Sequence, residues 1–178
     1  MSLSSWASAV LFGPTATRTD RGSALAAALM GAVLALALTF RVEPSLDAFA
    51  AVVTALVAFD LFGGLWSNAQ GRAWRGVRRS RREMVRFAAL HPHAFVLAWV
   101  LADYGMIDAV LLWATTTLGV AAVAAVPPGR RSALALTVCG AGLGLLVWIN
   151  GSPALAWLPG ACLLKLVAAY AARPDEPA

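Results

Sequence analysis

The chain has 178 residues, 60% of them hydrophobic and only 13% charged, with a net charge of +5 and a mean hydropathy of +0.74. Soluble domains carry about 25% charged residues, so a water-soluble globular protein is excluded and the bilayer is the natural solvent. Cys139 and Cys162 lie in separate apolar runs, without metal-site spacing or a disulfide framework; they read as free thiols packed as small hydrophobes. Thirteen arginines stand against one lysine, Lys165, which sits inside the last apolar run.

Residues 1–22 open with a mildly apolar stretch that Gly13 and Pro14 end. It lacks the basic start and the cleavage site of a secretory signal, and reads as an interfacial segment. Six apolar runs follow, at residues 23–40, 46–66, 84–102, 107–126, 133–149 and 154–172. Gly, Pro and Asn punctuate their boundaries, as turns require. Backbone groups in lipid must be satisfied internally, so the runs are predicted as helices. The expectation is an all-α, polytopic membrane helix bundle with six transmembrane helices, forming one integral membrane domain over residues 1–178.

Arginine placement sets the orientation. Arg18 and Arg21 precede the first run, Arg72 to Arg86 lie between the second and third, Arg130 and Arg131 follow the fourth, and Arg173 follows the sixth. With six spans all four regions fall on one side, which places both termini in the cytoplasm. The other side receives Arg41, Glu43, Asp47, Asp103, Asp108 and Asn150.

Between the second and third runs, Arg72, Arg75, Arg79, Arg82 and Arg86 recur every three or four residues, with Trp74, Val77, Met84 and Val85 at other positions. This is a rough amphipathic pattern. It predicts an Arg-rich interfacial helix whose arginines meet anionic lipid headgroups. Plain positive-inside anchoring explains the same residues. Tethering between two spans speaks against nucleic acid as a partner. A homo-oligomer or a membrane partner is left open.

Ionisable side chains within spans are costly and face the bundle or a cavity. Asp60, His91, His93 and Lys165 stand out. At about 1.5 Å of rise per residue, all four fall roughly 8–10 Å from the arginine-bearing ends of their helices. Asp60 shares a helical face with Gly63, Gly64, Ser67 and Gly71, and Lys165 with Ala161, Cys162, Ala168, Ala169 and Ala172. Small residues are what close helix packing in lipid uses. Residues two apart on a helix point in nearly opposite directions. His91 is therefore assigned to the bundle interior and His93 to headgroups or a neighbouring helix, and the two are not expected to chelate one ion. The expected unit is an Asp60–His91–Lys165 cluster with Ser67 and Asn68 near its mouth. No metal and no cofactor is expected. A plain Asp60–Lys165 ion pair that fixes helix register competes with a functional cluster. Gly140 and Gly144 form a GxxxG pattern, and Gly31 with Ala35 a looser one; both are read as close-packing positions within the chain. Thr115 to Thr117 lie near mid-membrane, where such hydroxyls return to their own backbone. No nucleotide loop, nucleophile elbow or HExxH motif is present, which weighs against an enzyme.

The run Phe59-Asp60-Leu61-Phe62-Gly63-Gly64, then Ser67-Asn68-Ala69 and Trp74, then Leu90-His91-Pro92-His93 resembles a group of bacterial multi-spanning membrane proteins with no assigned activity. The resemblance implies a bacterial cytoplasmic (inner) membrane location. It also implies that the Asp, Gly-Gly and Asn positions work with the histidine. The functional expectation is transport or conduction of a small solute, proton or ion through the cytoplasmic-leaflet cluster. The alternatives are a membrane-embedded enzyme acting on a lipid and a structural or partner subunit of a membrane complex.

Overall fold

The computed structural model describes residues 11–70, 74, 79–149 and 152–172. Among these, all regular structure is helical. Helix α1 (Arg18–Val42) starts on a capping box: the Thr17 hydroxyl accepts from the Asp20 amide at 3.2 Å, and the Thr17 amide donates to the Asp20 carboxylate at 2.9 Å. Two of the orphan amides of a helix start are thereby satisfied. Helix α2 (Ala48–Ala69) is capped in turn by Asp47.

These two helices form an extensive pair along a seam of small residues. Asp20, Ala24, Ala28, Gly31, Ala35 and Thr39 are the buried positions of α1, at the three- and four-residue spacing of one helix face. Gly31 lies directly against the Phe62 ring, where no Cβ fits, and Gly63 faces Ala28 from α2. The Gly31–Ala35 pair therefore packs within the chain as expected. The Gly140–Gly144 pair does not. A Cβ on either would meet nothing within 4 Å, and the glycine that packs on that helix is Gly142, against Thr115 and Leu163. The GxxxG spacing is right, but its face turns outward.

The third run is not one helix. It forms α3 (Arg81–Ala89) and α4 (His93–Val100), nine and eight residues long, separated by residues 90–92. Pro92 has no N–H to donate and disfavours a helical residue before it. The chain tightens at the break, with the Leu90 amide bonded to Arg86 O at 3.0 Å and the His91 amide to Ala88 O at 3.1 Å. The Trp113 indole donates to Ala89 O at 2.9 Å and so takes up a carbonyl released at the break. Helix α3 is itself amphipathic, with Met84 and Ala88 buried and Arg81, Arg82 and Arg86 exposed. The arginine-rich helix expected ahead of the third span is thus, from Arg81 on, the first half of that run. Arg72 and Arg75 lie outside the described residues.

Helices α5 (Met106–Ala125) and α6 (Pro128–Ile149) follow. In α5 the Thr116 hydroxyl returns to Leu112 O and Trp113 O. The last run, Pro153–Ala171, changes winding along its length: a 3₁₀ turn (Pro153–Leu155), an α-helix α7 (Leu158–Leu163) and a π-helical stretch (Leu164–Ala171).

Among the described residues, five helices are long and apolar enough to cross a membrane: α1, α2, α5, α6 and Pro153–Ala171. In the last of these 72% of the apolar window is buried, against 28–33% in the others. It is the central post on which the others pack. The outer helices show large apolar side chains to the surroundings, such as Met30 and Val33 on α1 and Leu136 and Val147 on α6, as a lipid-facing surface would. Leu61, Leu97, Val120, Leu158 and Val167 lie in the shared core.

Candidate functional site

Three elements bring their ionisable residues to one point. Asp60 comes from α2, His93 from the first residue of α4, and Lys165 from the π-helical stretch. The Lys165 ammonium donates to Asp60 Oδ2, and His93 Nε2 lies 2.9 Å from the same oxygen. The Lys165 side chain is 4% exposed and that of Asp60 48%. The carboxylate is thus the accessible member and the ammonium the enclosed one.

Asp60, Lys165, His91 and His93 do converge, as their equal depths required. His91 lines the cavity beside Asp60, Gly64 and Lys165, and His93, expected at headgroups or a neighbouring helix, meets the neighbouring helix at Asp60 itself. His93 pairs with Asp60, while His91 Nδ1 bonds its own backbone at Phe87 O, 2.7 Å away, and its ring meets Phe87 edge-on. The two imidazoles also do not point apart: their centroids are 5.3 Å apart. Helical geometry separates residues two apart, but His91 lies in the break and not in a helix. One ligand atom each from Asp60, His91 and His93 falls within 4.8 Å of the others, so helical facing does not keep the histidines apart here.

Glycine 64 makes the ion pair sterically possible. A Cβ there would lie 2.5 Å from Lys165 Cε and 3.0 Å from Nζ. Ser67 and Asn68 are buried one turn further on, and the Ser67 hydroxyl donates to Leu11 O at 2.9 Å. With Asp60, Gly64, His91 and Lys165 they line a cavity of about 540 Å³. Its wall is completed by Arg79, Trp74, Phe87 and Tyr170. The Arg79 guanidinium lies over the Tyr170 ring at 4.1 Å and the Trp74 ring at 4.7 Å, and Phe87 stacks on Tyr170 at 4.2 Å. Beyond Asp60 the core residues Val57, Leu61, Leu97 and Leu158 are packed and buried.

Tyr170 was not foreseen. On an α-helix Lys165 shares its face with residues 168, 169 and 172, and those residues are all small. The wider π winding brings position 170, five residues on, to the Lys165 side. Composition offers no sign of that change. Trp113 was missed for a similar reason, since its partner carbonyl exists only because the third run breaks.

A second depression, of about 170 Å³, is lined by Glu43, Asp47, Leu101, Asp103 and Ser152 among others and shares no residue with the first. A narrower slot of about 120 Å³ between α1 and α2 reaches Asp60 past Leu25, Ala28, Phe59 and Gly63. Chemically, the centre offers a carboxylate reachable from a cavity and flanked by two proton donors. Such a group can accept a proton, hold a small cation or exchange one partner for another. No family model matches the chain, and no curated protein or solved structure is similar to it.

Proposed function

We propose that this protein is a multi-pass membrane protein that moves a small solute, proton or ion by way of Asp60. The observation that carries the reading is the position of Asp60: half-exposed at the floor of a large cavity, with Lys165 and His93 on one oxygen. A register-fixing ion pair needs no cavity; a carboxylate that binds and releases a charge needs one. Helices α3 and α4 serve as a sixth, broken crossing. Val100 to Asp103 share a depression with the α1–α2 turn, while Phe87 and His91 share the cavity with the far end of α2. Broken helices at membrane depth are tolerated where they line a cavity, and they are a recurrent device of solute sites. Six crossings with the arginine-rich end in the cytoplasm place both termini there.

In this reading the cavity at Asp60 and the second depression near Asp103 are the two ends of a route, closed in this conformation by the packed layer of Val57, Leu61, Leu97 and Leu158. Purified protein in sealed vesicles should carry a flux of protons or of a small ion, and Asp60→Asn should lower it at least tenfold, about 1.4 kcal/mol of lost barrier stabilisation. Wild-type vesicles with no flux of any tested ion overturn the reading. The slot between α1 and α2 favours a second one: a lipid chain lying there would bring its headgroup to Asp60 for acid–base chemistry. Turnover of a labelled lipid without ion flux is the result that separates the two.

A further inference from the structure

We propose that Asp60, His91 and His93 form a binding site for a divalent transition-metal ion, which Lys165 keeps closed while the ion is absent. The ligand atoms are already gathered, one from each residue within 4.8 Å of the others. Bonds of about 2.0–2.1 Å to a tetrahedral ion set neighbouring ligand atoms roughly 3.3 Å apart. His93 Nε2 and Asp60 Oδ2, at 2.9 Å, are near that spacing; as the ion enters, His93 Nε2 releases to solvent in the cavity the proton it now donates to Asp60, and a movement of His91 completes the set.

The tautomer of His91 is prepared for the role. A carbonyl only accepts, so the 2.7 Å bond to Phe87 O puts the ring proton on Nδ1 and leaves Nε2 with a free lone pair. A ligating histidine with its other nitrogen on a backbone carbonyl is the usual outer-shell arrangement. Two imidazoles and a carboxylate suit Zn²⁺, Co²⁺, Ni²⁺ or Cu²⁺ and do not suit Mg²⁺ or Ca²⁺, which prefer oxygen alone. The cavity of about 540 Å³ that Asp60 and His91 line supplies the open coordination position.

Lys165 completes the device. Its ammonium now occupies the side of Asp60 that a cation needs, and a bound ion takes its place as the counter-charge. Gly64 leaves the Lys165 chain a bare backbone to move along. Arginines at the mouth slow the approach of a free cation without altering the ligand set. The site is inferred from ligand geometry and stands whether or not an ion crosses the membrane.

The chain contains two histidines, both in this cluster, so untagged protein gives an unambiguous probe. Detergent-purified protein with Cys139→Ser and Cys162→Ser, which removes the thiols as ligands, is titrated with Co²⁺ and then with Zn²⁺. The expected result is one Co²⁺ per chain, with the visible bands of a four-coordinate nitrogen and oxygen site, displaced by Zn²⁺. His91→Ala and His93→Ala should each weaken binding at least about tenfold, since loss of an outer-shell partner alone costs that much. Lys165→Met, which removes the competing charge, should tighten it. No saturable binding to helical wild-type protein overturns the proposal, as does binding that survives loss of both histidines. Weaker binding by Lys165→Met overturns the role given to the lysine.

Discussion

Removing one charge from the Asp60–Lys165 pair is expected to cost very different amounts depending on which is removed. Breaking a buried pair costs about 3–5 kcal/mol when it strands an uncompensated buried charge. Lys165 is the enclosed partner, 4% exposed against 48% for Asp60, and among the described residues Asp60 is its ion-pair partner. Asp60→Asn should therefore fall near the lower end of that range, about 3 kcal/mol, because the amide oxygen still accepts one hydrogen bond. Lys165→Met leaves Asp60 open to the cavity and still bonded by His93 at 2.9 Å, so its cost should stay at or below about 1 kcal/mol. The double variant Asp60→Leu/Lys165→Met, which strands neither charge, should lie within about 1 kcal/mol of wild type. Reversible unfolding of the purified protein in mixed micelles measures all three. A Lys165→Met variant as destabilised as Asp60→Asn would refute the assignment of the lysine as the enclosed charge.

Three further outcomes follow from packing and capping. Gly140→Ala and Gly144→Ala, with open space around each Cβ, should stabilise α6 by about 0.5–1 kcal/mol each, whereas Gly31→Ala, which drives a methyl into Phe62, should cost about 1–3 kcal/mol; thermal midpoints in detergent give the signs. Trp113→Phe keeps an aromatic ring, smaller than the indole, and removes the donor to Ala89 O; the lost hydrogen bond should cost about 0.5–1.5 kcal/mol, with faster amide exchange confined to residues around the α3–α4 break. The Ser80 amide and hydroxyl bond the Glu83 carboxylate at 2.7 and 2.9 Å and hold its pKa below the ordinary value. A depressed folded-state pKa stabilises fully above the unfolded value of about 4.3 and is lost as pH falls through the lower folded value. Amide protection in the first turn of α3 should therefore be flat above that pH and drop below it; a drop between pH 7 and 5 would contradict the capping assignment.

The spans were readable because lipid demands long apolar runs with polar punctuation. Five of the six runs correspond to candidate spans whose ends lie within five residues of the runs; α1 and α6 each start five residues early, with Arg18, Arg130 and Arg131 in their first turns, and the third run is broken. The convergence of Asp60, His91, His93 and Lys165 was also readable, because equal depth depends only on rise per residue. Facing is the part that failed. It assumes regular winding, and the winding changes at both critical places. Pro92 is a helix breaker on sight, yet its effect, turning His91 and His93 toward each other, depends on how the chain tightens at residues 88–91. The π-helical turn under Lys165 leaves no compositional mark, so Tyr170 and its stack with Arg79 and Phe87 came only from the structure. Gly140 and Gly144 show the same limit from the other side: a motif gives a spacing, and the neighbouring helices decide which face is covered.

The chain's single lysine allows the centre of the site to be measured directly in lipid. Solid-state NMR dipolar recoupling between ¹⁵N-labelled Lys165 Nζ and ¹³C-labelled aspartate carboxyl carbons reads one nitrogen with no assignment problem, and Asp60→Asn, with asparagine unlabelled, identifies the partner. A charge-assisted hydrogen bond of about 2.7–2.9 Å puts the nitrogen on the order of 3.5 Å from the carboxyl carbon. Strong dephasing at that distance, abolished in Asp60→Asn, is the expected result. A lysine nitrogen with no carboxyl carbon within about 6 Å would contradict it, because not even one bridging water could then join the two groups.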